Sequence, residues 1–390
     1  MRYSIIVPVF NRPDEVDELL ESLCLQTIKD FEVIIVEDGS SLPCKDVCDK
    51  YAGILDLHYY FKENSGPGQS RNYGAERARG EWLIVLDSDV VLPEGYLSSV
   101  ECRVQSVEFA TAPQDVSGAV ANSTLYTLHS EISAFGGPDA AHPSFTPVQK
   151  AISYSMTSFF TTGGIRGGSS SQSGGVRGAL DKFFPRSYNM GIRREVYQEL
   201  GGFSKMRFGE DIDFSYRIVE AGYKTALIPE AWVWHKRRTD FRKFFRQVYN
   251  SGIARINLEK RHPGTLKLVH LLPTIFTVGT LTLLLIALAG VLLAALGWCA
   301  SGASGCNPSV ILIRSGLVLA GVALSPLLLY SLLICTDSSI RNKSLWVGLL
   351  SIPAAFTQLM GYGLGFIESW WKRCVLGKDE FQAFEKNFYK

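Results

Sequence analysis

Residues 82–89 read Trp82-Leu83-Ile84-Val85-Leu86-Asp87-Ser88-Asp89, an apolar run followed at once by two carboxylates. An uninterrupted apolar run of this length predicts a strand buried on both faces, as in a parallel sheet that helices cover on both sides. The two acids then lie just past the carboxyl end of the strand, where open α/β sheets bind their ligands.

Two earlier segments repeat this arrangement of an apolar strand with a polar end. Phe31 to Val36 runs into Glu37-Asp38, and Tyr3 to Val7 leads into Pro8-Val9-Phe10-Asn11. We predict strands at 3–9, 31–37, 55–61 and 82–86, separated by helices at 14–25, 45–51 and 68–78. Repeated βα units predict an α/β domain with a mostly parallel, doubly wound sheet, so that three strand ends bring polar groups to one rim.

The C-terminal part of the chain is apolar enough to enter a membrane. No Asp, Glu, Lys or Arg occurs between Lys267 and Arg314, and residues 270–298 are long enough to cross a hydrocarbon core of about 30 Å as a helix. Residues 315–336 form a second such segment. A third segment, 344–367, contains Pro353 and several glycines. We therefore expect two spanning helices and a third that spans, re-enters on one face or lies in the interface.

Charge indicates which side of the membrane the N-terminal domain occupies. The net charge of +1 excludes a generally basic nucleic-acid-binding protein, but ten Lys or Arg residues lie between His235 and Lys267, against only Asp240 and Glu259. A basic segment before a membrane helix is typical of the cytosolic side and also suits anionic membrane lipids. No signal-peptide pattern is visible at the start, so we expect this domain in the cytosol.

These observations predict four regions. They are a cytosolic α/β domain at 1–234, a basic juxtamembrane segment at 235–267, a membrane domain at 268–367 and a C-terminal tail at 368–390 that we expect to be cytosolic. The eight cysteines contain no CxxC or CxxH pair, so we expect free thiols rather than a zinc site.

Phosphate groups need a binding mode other than the common glycine-rich loops. The sequence has neither the dinucleotide motif after its first strand nor a P-loop, which weakens a dehydrogenase and excludes a P-loop NTPase. An Asp-x-Asp pair at a strand end can instead hold Mg²⁺ or Mn²⁺, which bridges two phosphates. The alternative is that these residues only cap a helix or form a turn. The presence of Asp38 on the same predicted rim favours the metal site.

Read together, these segments resemble the family 2 glycosyltransferases, which are inverting enzymes of the GT-A fold. The resemblance covers residues 3–250 and rests on motifs in this order: Pro8-Val9-Phe10-Asn11, Glu37-Asp38-Gly39-Ser40, Asn64 to Gly68 with Arg71-Asn72, Asp87-Ser88-Asp89, Asn189, Gly201-Gly202-Phe203 and Gly209-Glu210-Asp211-Ile212-Asp213. Residues 135–147, together with the membrane helices, more loosely resemble membrane-anchored exopolysaccharide glycosyltransferases of bacteria.

The resemblance implies a role for each matched position. It assigns binding of the nucleotide-sugar donor to Pro8, Asn11, Asp38, Asn64, Arg71, Asp87, Ser88 and Asp89, and the acceptor side to Asn189 and Gly209. It places a divalent cation, Mn²⁺ or Mg²⁺, on Asp89 and Asp87, and His235 resembles the histidine that completes this metal site in some members. A lone histidine at a strand end is also common as a structural residue.

The block that ends at Asp213 supplies the catalytic candidates. Transfer needs a base that takes the proton of the acceptor hydroxyl as its oxygen attacks the anomeric carbon from the face opposite the leaving group. Asp211 is the predicted base, with Glu210 beside it as a second catalytic candidate, because both lie at a predicted helix start. For Glu210 and Asp213 the alternative is favourable charge at the helix N-terminus, which we prefer for Asp213.

We therefore expect a metal-dependent, inverting transfer from a nucleoside diphosphate sugar to a lipid-linked saccharide or a polyprenyl phosphate. The enzyme is expected in the inner (cytoplasmic) membrane, in cell-surface polysaccharide or glycolipid assembly. The alternatives are a processive polysaccharide synthase, a membrane-bound nucleotidyltransferase and a non-catalytic envelope-assembly scaffold. The first is disfavoured because residues 247–251 lack the Q-x-x-R-W pattern of processive synthases. The Gly/Ser-rich residues 163–178 are expected to form a lid over substrate or a surface loop.

Overall fold

The structure is a computed structural model that describes residues 1–111, 132–162, 183–301 and 307–384. The segment for which the sequence predicts a lid or a surface loop, 163–178, lies outside the described residues.

The N-terminal part alternates strands and helices as the apolar pattern predicts. Its elements are β1 (Tyr3–Val9), α1 (Pro13–Cys24), β2 (Phe31–Asp38), α2 (Lys45–Tyr51), β3 (Asp56–Lys62), α3 (Pro67–Ala75), β4 (Trp82–Leu86), β5 (Val90–Val91) and α4 (Tyr96–Thr111). All residues of β2 and β4 are buried, because helices cover both faces of the sheet.

Less regular elements complete the domain that carries the predicted catalytic residues, which we call the catalytic domain. They are β6 (Ile132–Gly136), β7 (Asp139–Ala140), α5 (Pro147–Thr157), α6 (Phe159–Thr162), β8 (Asn189–Arg193), α7 (Arg194–Glu199), α8 (Glu210–Glu220), β9 (Lys224–Leu227), β10 (Val233–His235) and α9 (Phe241–Arg261). The predicted boundary at residue 234 thus falls within β10, whose last residue is His235.

Seven strands form the main sheet, in the order β3-β2-β1-β4-β8-β6-β9. β1 is parallel to both β2 and β4, β2 to β3, and β6 to β9, whereas β8 is antiparallel to β4 and β6. The predicted α/β architecture, a mostly parallel sheet followed by C-terminal apolar helices, is confirmed. A second, three-stranded sheet has the order β5-β10-β7 and lies next to the carboxyl end of β4.

Apolar residues on both faces of the main sheet form its core. On one face the apolar stripe of α1, which includes Val16, Leu19 and Leu23, packs against β1 and β2. On the other face Phe203 and Phe214 pack against the opposite side chains of the same strands. The sheet is therefore rigid on both sides where its strands end, which suits a site that must hold its side chains in place.

Three long apolar helices follow the catalytic domain. They are α10 (Leu272–Ser301), α11 (Asn307–Asn342) and α12 (Leu345–Trp370), and each is long and apolar enough to cross a membrane. Their surroundings differ, because the most apolar stretch of α12 is 50% buried, against 22% for the first helix and 17% for the second. Among the described helices of this region, α10 and α11 therefore leave most of their apolar surface uncovered by the rest of the protein.

Helix α12 lies along the catalytic domain. Ala354 packs against Ala151 of α5, and near the other end of α12 the Ser369 hydroxyl donates to the carbonyl of Ile253 in α9 at 3.1 Å. Between these contacts a Cβ on Gly365 would be only 2.1 Å from the Tyr249 carbonyl oxygen, so the backbones of α12 and α9 approach closely. The helix also continues through Pro353 without a break, which excludes the re-entrant turn among the alternatives predicted for this segment.

The last described residues return to the catalytic domain. The short helix α13 (Glu380–Ala383) places the Glu380 carboxylate 2.8 Å from the backbone N–H of Arg207. Phe384 is buried against Ile253 of α9. The described residues 380–384 therefore pack directly against this domain.

Candidate active site

The carboxyl ends of three parallel strands meet at one rim, as predicted. Val9 of β1 pairs with Glu37 of β2, and Ile6 pairs with Val85 of β4, so the residues that follow these strands lie next to each other. Asn11 has a positive φ of 55°, and its side-chain oxygen accepts the N–H of Leu42 at 2.8 Å. Asn11 thus ties the end of β1 to the loop after β2.

Asp38 organises the segment that leads into α3. Its carboxylate accepts the backbone N–H groups of Ser65 and Gly66, both at 2.9 Å, and forms an ion pair with Lys62. The side chain of Asn64 donates to the Asp38 carbonyl at 2.8 Å. The buried Asp38 carboxylate therefore holds the backbone of residues 65 and 66 in place. Its direct contact with a donor stays a prediction.

Asp87, Asp89 and His235 come together although His235 is far away in the sequence. The antiparallel pairing of β10 with β5 sets His235 opposite Val90, and His235 Nε2 lies 3.3 Å from Asp89 Oδ1. One ligand atom of each of the three residues lies within 4.8 Å of the others. Two carboxylates and an imidazole are a donor set that fits Mn²⁺ or Mg²⁺, so these residues could hold the predicted cation.

Positive groups surround Asp89. Arg12 Nη1 lies 2.5 Å and Arg238 Nη1 3.2 Å from Asp89 Oδ2. Burial opposes ionisation of Asp89, but His235 and the two guanidinium groups hold the pKa of its carboxyl far below the ordinary value. Burial alone lowers the pKa of His235, whereas Asp89 and Asp139 raise it to about 9. A cation bound through His235 Nε2 therefore has to replace a proton.

Arg71 joins the metal-type cluster to Glu210, the residue next to the predicted base Asp211. Its guanidinium is buried, with Nη2 2.8 Å from Asp87 Oδ1 and Nη1 3.1 Å from Glu210 Oε1. The guanidinium also lies 5.2 Å from the centre of the Phe203 ring. Burial raises the pKa of Glu210, and Asp211 adds to this effect while Arg71 opposes it. Arg71 thus fixes the distance between the strand end that carries Asp87 and the start of the helix that carries Glu210.

Gly209 begins the helix that carries the candidate base. It has a φ of 84°, which residues with side chains rarely adopt, and α8 starts directly after it. Asp211 lies in the first turn of α8 on the wall of a cavity, with Arg186 Nη1 3.4 Å from its Oδ2. Asp213 instead points into the protein, where it accepts the hydroxyl proton of Ser204 at 2.6 Å and pairs with Arg217.

A cavity of about 1930 Å³ connects this site to the apolar helices. One end is lined by Asp87, Glu210, Asp211 and His235, and the other by Leu272 and Phe276 of α10, Tyr330 of α11 and Leu359 of α12. Phe159 of α6 also lines the cavity and is 68% exposed. One continuous space therefore reaches from the charged rim to the membrane-type surface.

Among the predicted site residues, Asn189 is engaged with other parts of the protein. Asn189 is buried, and its side chain accepts from the Tyr96 hydroxyl at 2.6 Å and donates to the Ala231 carbonyl at 2.8 Å. Both polar atoms of Asn189 are thus hydrogen-bonded within the protein at the start of β8, and its role on the acceptor side stays a prediction. Pro8 lies within β1 and Ser88 is buried, and their contact with a donor also stays a prediction.

Several charged residues of the site were missed from the sequence. Asp139 contacts His235 at the ring nitrogen that does not face Asp89. Its Oδ2 lies 3.8 Å from His235 Nδ1 and 2.6 Å from Arg237 Nη2. Arg12 and Arg238, which contact Asp89, were also missed. The run Lys236-Arg237-Arg238 directly after His235 indicates positive charge near the cluster, but in the sequence alone it is typical of a basic segment before a membrane helix. Asp139 gave no comparable signal because its partners lie far away in the chain.

Two family models match the chain. The model described as glycosyl transferase family 2 matches residues 4–201, which is more than half of the 390 residues. The model described as glycosyl transferase family group 2 matches residues 181–356, which includes part of the membrane-type helices.

Curated relatives carry similar descriptions. A pre-mycofactocin glycosyltransferase of Mycobacterium tuberculosis is 27% identical over 267 residues, which is 67% of this chain and 48% of the relative. Uncharacterized glycosyltransferases of Haemophilus influenzae and Rickettsia felis are 43% and 33% identical over 93 and 107 residues. These two matches cover 22% and 27% of this chain and 29% and 17% of the relatives. The chain thus matches less than half the length of each relative.

The solved structures that match the chain in a structural comparison share little sequence with it. The mannosyltransferase PcManGT from Pyrobaculum calidifontis, solved with GDP-Man and Mn²⁺, has a TM-score of 0.49 and 14% identity, with 95% of this chain and 88% of that chain covered. S. aureus TarS 1-349 with UDP-GlcNAc has a TM-score of 0.43 and 14% identity, with 97% and 93% covered.

Proposed function

Because the chain belongs to glycosyl transferase family 2, we propose that it moves a sugar from a nucleoside diphosphate sugar to a lipid-linked acceptor at a membrane. The reaction depends on a divalent cation and inverts the anomeric centre. It serves the assembly of a cell-surface polysaccharide or glycolipid.

The observation that carries this proposal is the bridge made by Arg71. It ties Asp87 of the metal-type cluster to Glu210, the neighbour of Asp211, at the mouth of one cavity. A donor diphosphate at the cluster and an acceptor hydroxyl at Asp211 then meet within the same space. Positioning of two reactants in this way supplies much of the rate enhancement in a displacement reaction.

Asp211 accepts the proton of the acceptor hydroxyl as its oxygen bonds to the anomeric carbon. The bond to the diphosphate breaks on the opposite face, so one displacement inverts the configuration. A divalent cation held by Asp87, Asp89 and His235 would supply positive charge for the departing diphosphate. Arg186, 3.4 Å from Asp211, orients the carboxylate.

The other end of the cavity supports a lipid-linked acceptor. Its walls there come from α10, α11 and α12, whereas sugars in solution need no such surface. The ten basic residues between His235 and Lys267 then lie on the cytosolic face of the inner membrane, together with the catalytic domain.

A screen of nucleoside diphosphate sugars tests this function. The full-length protein in detergent is incubated with UDP-, GDP- and dTDP-sugars in the presence of Mn²⁺ or Mg²⁺, and donor hydrolysis and thermal protection are measured. We expect one donor to protect only when a divalent cation is present and EDTA to remove the effect. Protection by nucleoside triphosphates in place of the sugar donors contradicts the proposal and supports a nucleotidyltransferase.

A further inference from the structure

The membrane end of the cavity contains a cationic side chain that the proposed transfer does not use. Arg255 of α9 lines the cavity, and its buried Nε has no hydrogen-bond partner among the described residues. Its Nη1 is 3.5 Å from the Tyr216 hydroxyl, which is a weak contact. Within the described parts of the chain, no carboxylate forms an ion pair with Arg255. A half-buried charge of this kind is unfavourable unless an anion joins it.

The acidic residue that follows Arg255 by one helical turn is already engaged. Glu259 accepts the backbone N–H groups of Gly264 and Leu266, at 2.9 and 2.6 Å. It thus fixes the loop between α9 and the first membrane-type helix. Among the described residues, Arg255 therefore has no carboxylate partner, and its charge is open to an anionic ligand.

His270 adds a second hydrogen-bond donor on the same wall. Its Nδ1 accepts the backbone N–H of Lys267 at 2.9 Å, which places the proton of the neutral ring on Nε2. His270 lines the cavity, and the charges of Arg255 and Lys267 act on its ring, opposed by that of Glu259. A positively charged end of the cavity with free N–H donors suits a phosphate group.

An apolar wall continues from this charged end. Leu272 and Phe276 follow His270 along α10, and the Phe276 ring lies 5.2 Å from that of Tyr330 and 5.5 Å from that of Phe356. An amphiphile with a phosphate head and a hydrocarbon chain matches both surfaces at once.

We propose that Arg255 and His270 bind the phosphate of a lipid-linked saccharide whose hydrocarbon chain lies against this apolar wall. The inference rests on the proposed function and specifies its acceptor. Tyr216, the contact of Arg255, lies five residues after Asp211 on α8, which corresponds to about 7.5 Å of helix. In this arrangement the phosphate binds at Arg255, next to Tyr216 and away from the proton acceptor Asp211, so the attacking nucleophile is a sugar hydroxyl of the acceptor and not the phosphate.

Binding of short isoprenoids to the full-length protein tests the proposal. Farnesyl phosphate, farnesol and inorganic phosphate are titrated by calorimetry into the protein in phosphatidylcholine nanodiscs, with empty nanodiscs as the blank. We expect farnesyl phosphate to bind about tenfold or more tightly than either of the other two, and Arg255→Gln to weaken it by about tenfold. Arg246→Gln is the matched control, because Arg246 is exposed on the same helix and should bind as wild type does.

Three outcomes overturn the proposal. The first is that Arg255→Gln binds farnesyl phosphate as tightly as wild type does. The second is that inorganic phosphate binds as tightly as farnesyl phosphate, which identifies a site for free anions, and the third is that farnesyl phosphate itself is glycosylated, which makes the phosphate the acceptor. If Arg255→Gln does not fold, Arg255→Lys should retain binding and His270→Ala should weaken it by roughly threefold. Asp89→Asn should lose donor binding and keep lipid binding, so failure of the proposed function is seen separately.

Discussion

One buried guanidinium determines the geometry of the candidate site. Arg71 contacts Asp87 on one side and Glu210 on the other, and the side chains of Arg71 and Glu210 are largely buried whereas that of Asp87 is partly exposed. Removal of one member of such a group leaves unpaired charge in a low-dielectric environment, which destabilises far more than the loss of a surface ion pair.

We therefore expect Arg71→Met to lower the free energy of unfolding of the catalytic domain by about 3 kcal/mol. Thermal unfolding monitored by circular dichroism measures the change. Arg242→Met is the control, because Arg242 is exposed on α9 and should leave the melting temperature within a degree or two of wild type. A variant at position 71 that melts like the control shows that the bridge adds no stability.

Asp89→Asn tests the metal assignment with almost no change of volume. The amide binds a divalent cation poorly, so thermal protection by donor plus Mn²⁺ should disappear while the protein remains folded. Asp46→Asn, an exposed substitution on α2, should keep full protection. Donor protection that survives in the Asp89 variant means that the cation, if one is needed, binds elsewhere.

Asp211→Asn separates the base from the donor site. The amide cannot accept the proton, so kcat should fall by about 10² to 10⁴ while donor affinity changes little. Measurement of kcat and of donor Kd on the same preparation decides the matter. A parallel loss of both places Asp211 in the donor site.

At the scale of elements, the contact between α9 and α12 depends on glycine. A Cβ on Gly365 would lie 2.1 Å from the Tyr249 carbonyl oxygen, closer than any real contact, so Gly365→Ala must push the helices apart. We expect a loss of about 1–3 kcal/mol, measured as a lower melting temperature in detergent.

Gly279→Ala is the matched control for this substitution. Gly279 lies in α10, where an added Cβ would meet no atom of another described segment within 4 Å, and alanine favours a helix more than glycine does. Its melting temperature should be equal to that of wild type or higher. Equal destabilisation by both substitutions contradicts a specific role of the close contact.

The elements that could be predicted from the sequence are those whose signal is local. The apolar run at 82–86 and the helix at 45–51 match β4 and α2 residue for residue, because burial on both faces and helical spacing can be read within a few residues. The pairing of β10 with β5, which brings His235 to Asp89, could not be read in this way. This pairing depends on contacts between segments that are distant in the sequence. The same is true of the hydrogen bond of Asn189 with Tyr96 and of the ion pair of Asp139 with Arg237.

At the scale of the whole molecule, the path of α12 predicts the topology. Both ends of this helix contact the catalytic domain, and the Glu380 segment after it binds Arg207. We expect α10 and α11 to cross the membrane and the C-terminal segment to stay in the cytosol, in agreement with the positions of Lys372 and Arg373.

Cysteine labelling measures this topology in intact cells. Lys378→Cys, in a background without the other exposed cysteines, should react with a membrane-impermeant maleimide only after lysis. A separate variant that keeps native Cys299, exposed near the far end of α10, but has Lys378 unchanged is the positive control and should react in intact cells. Labelling of position 378 in intact cells means that α12 crosses the membrane.

The close fit of α12 against α9 also limits the length of acceptor that the protein can use. If the catalytic domain cannot tilt away from the bilayer, Asp211 stays at one height above the lipid surface, and only a hydroxyl at that height reaches it. Each transfer moves the terminal hydroxyl outward by one sugar, so the product no longer fits and should leave after a single addition. Mass spectrometry of products from acceptors that differ by one sugar should show one preferred length and one added residue, whereas a ladder of products means that the height is not fixed.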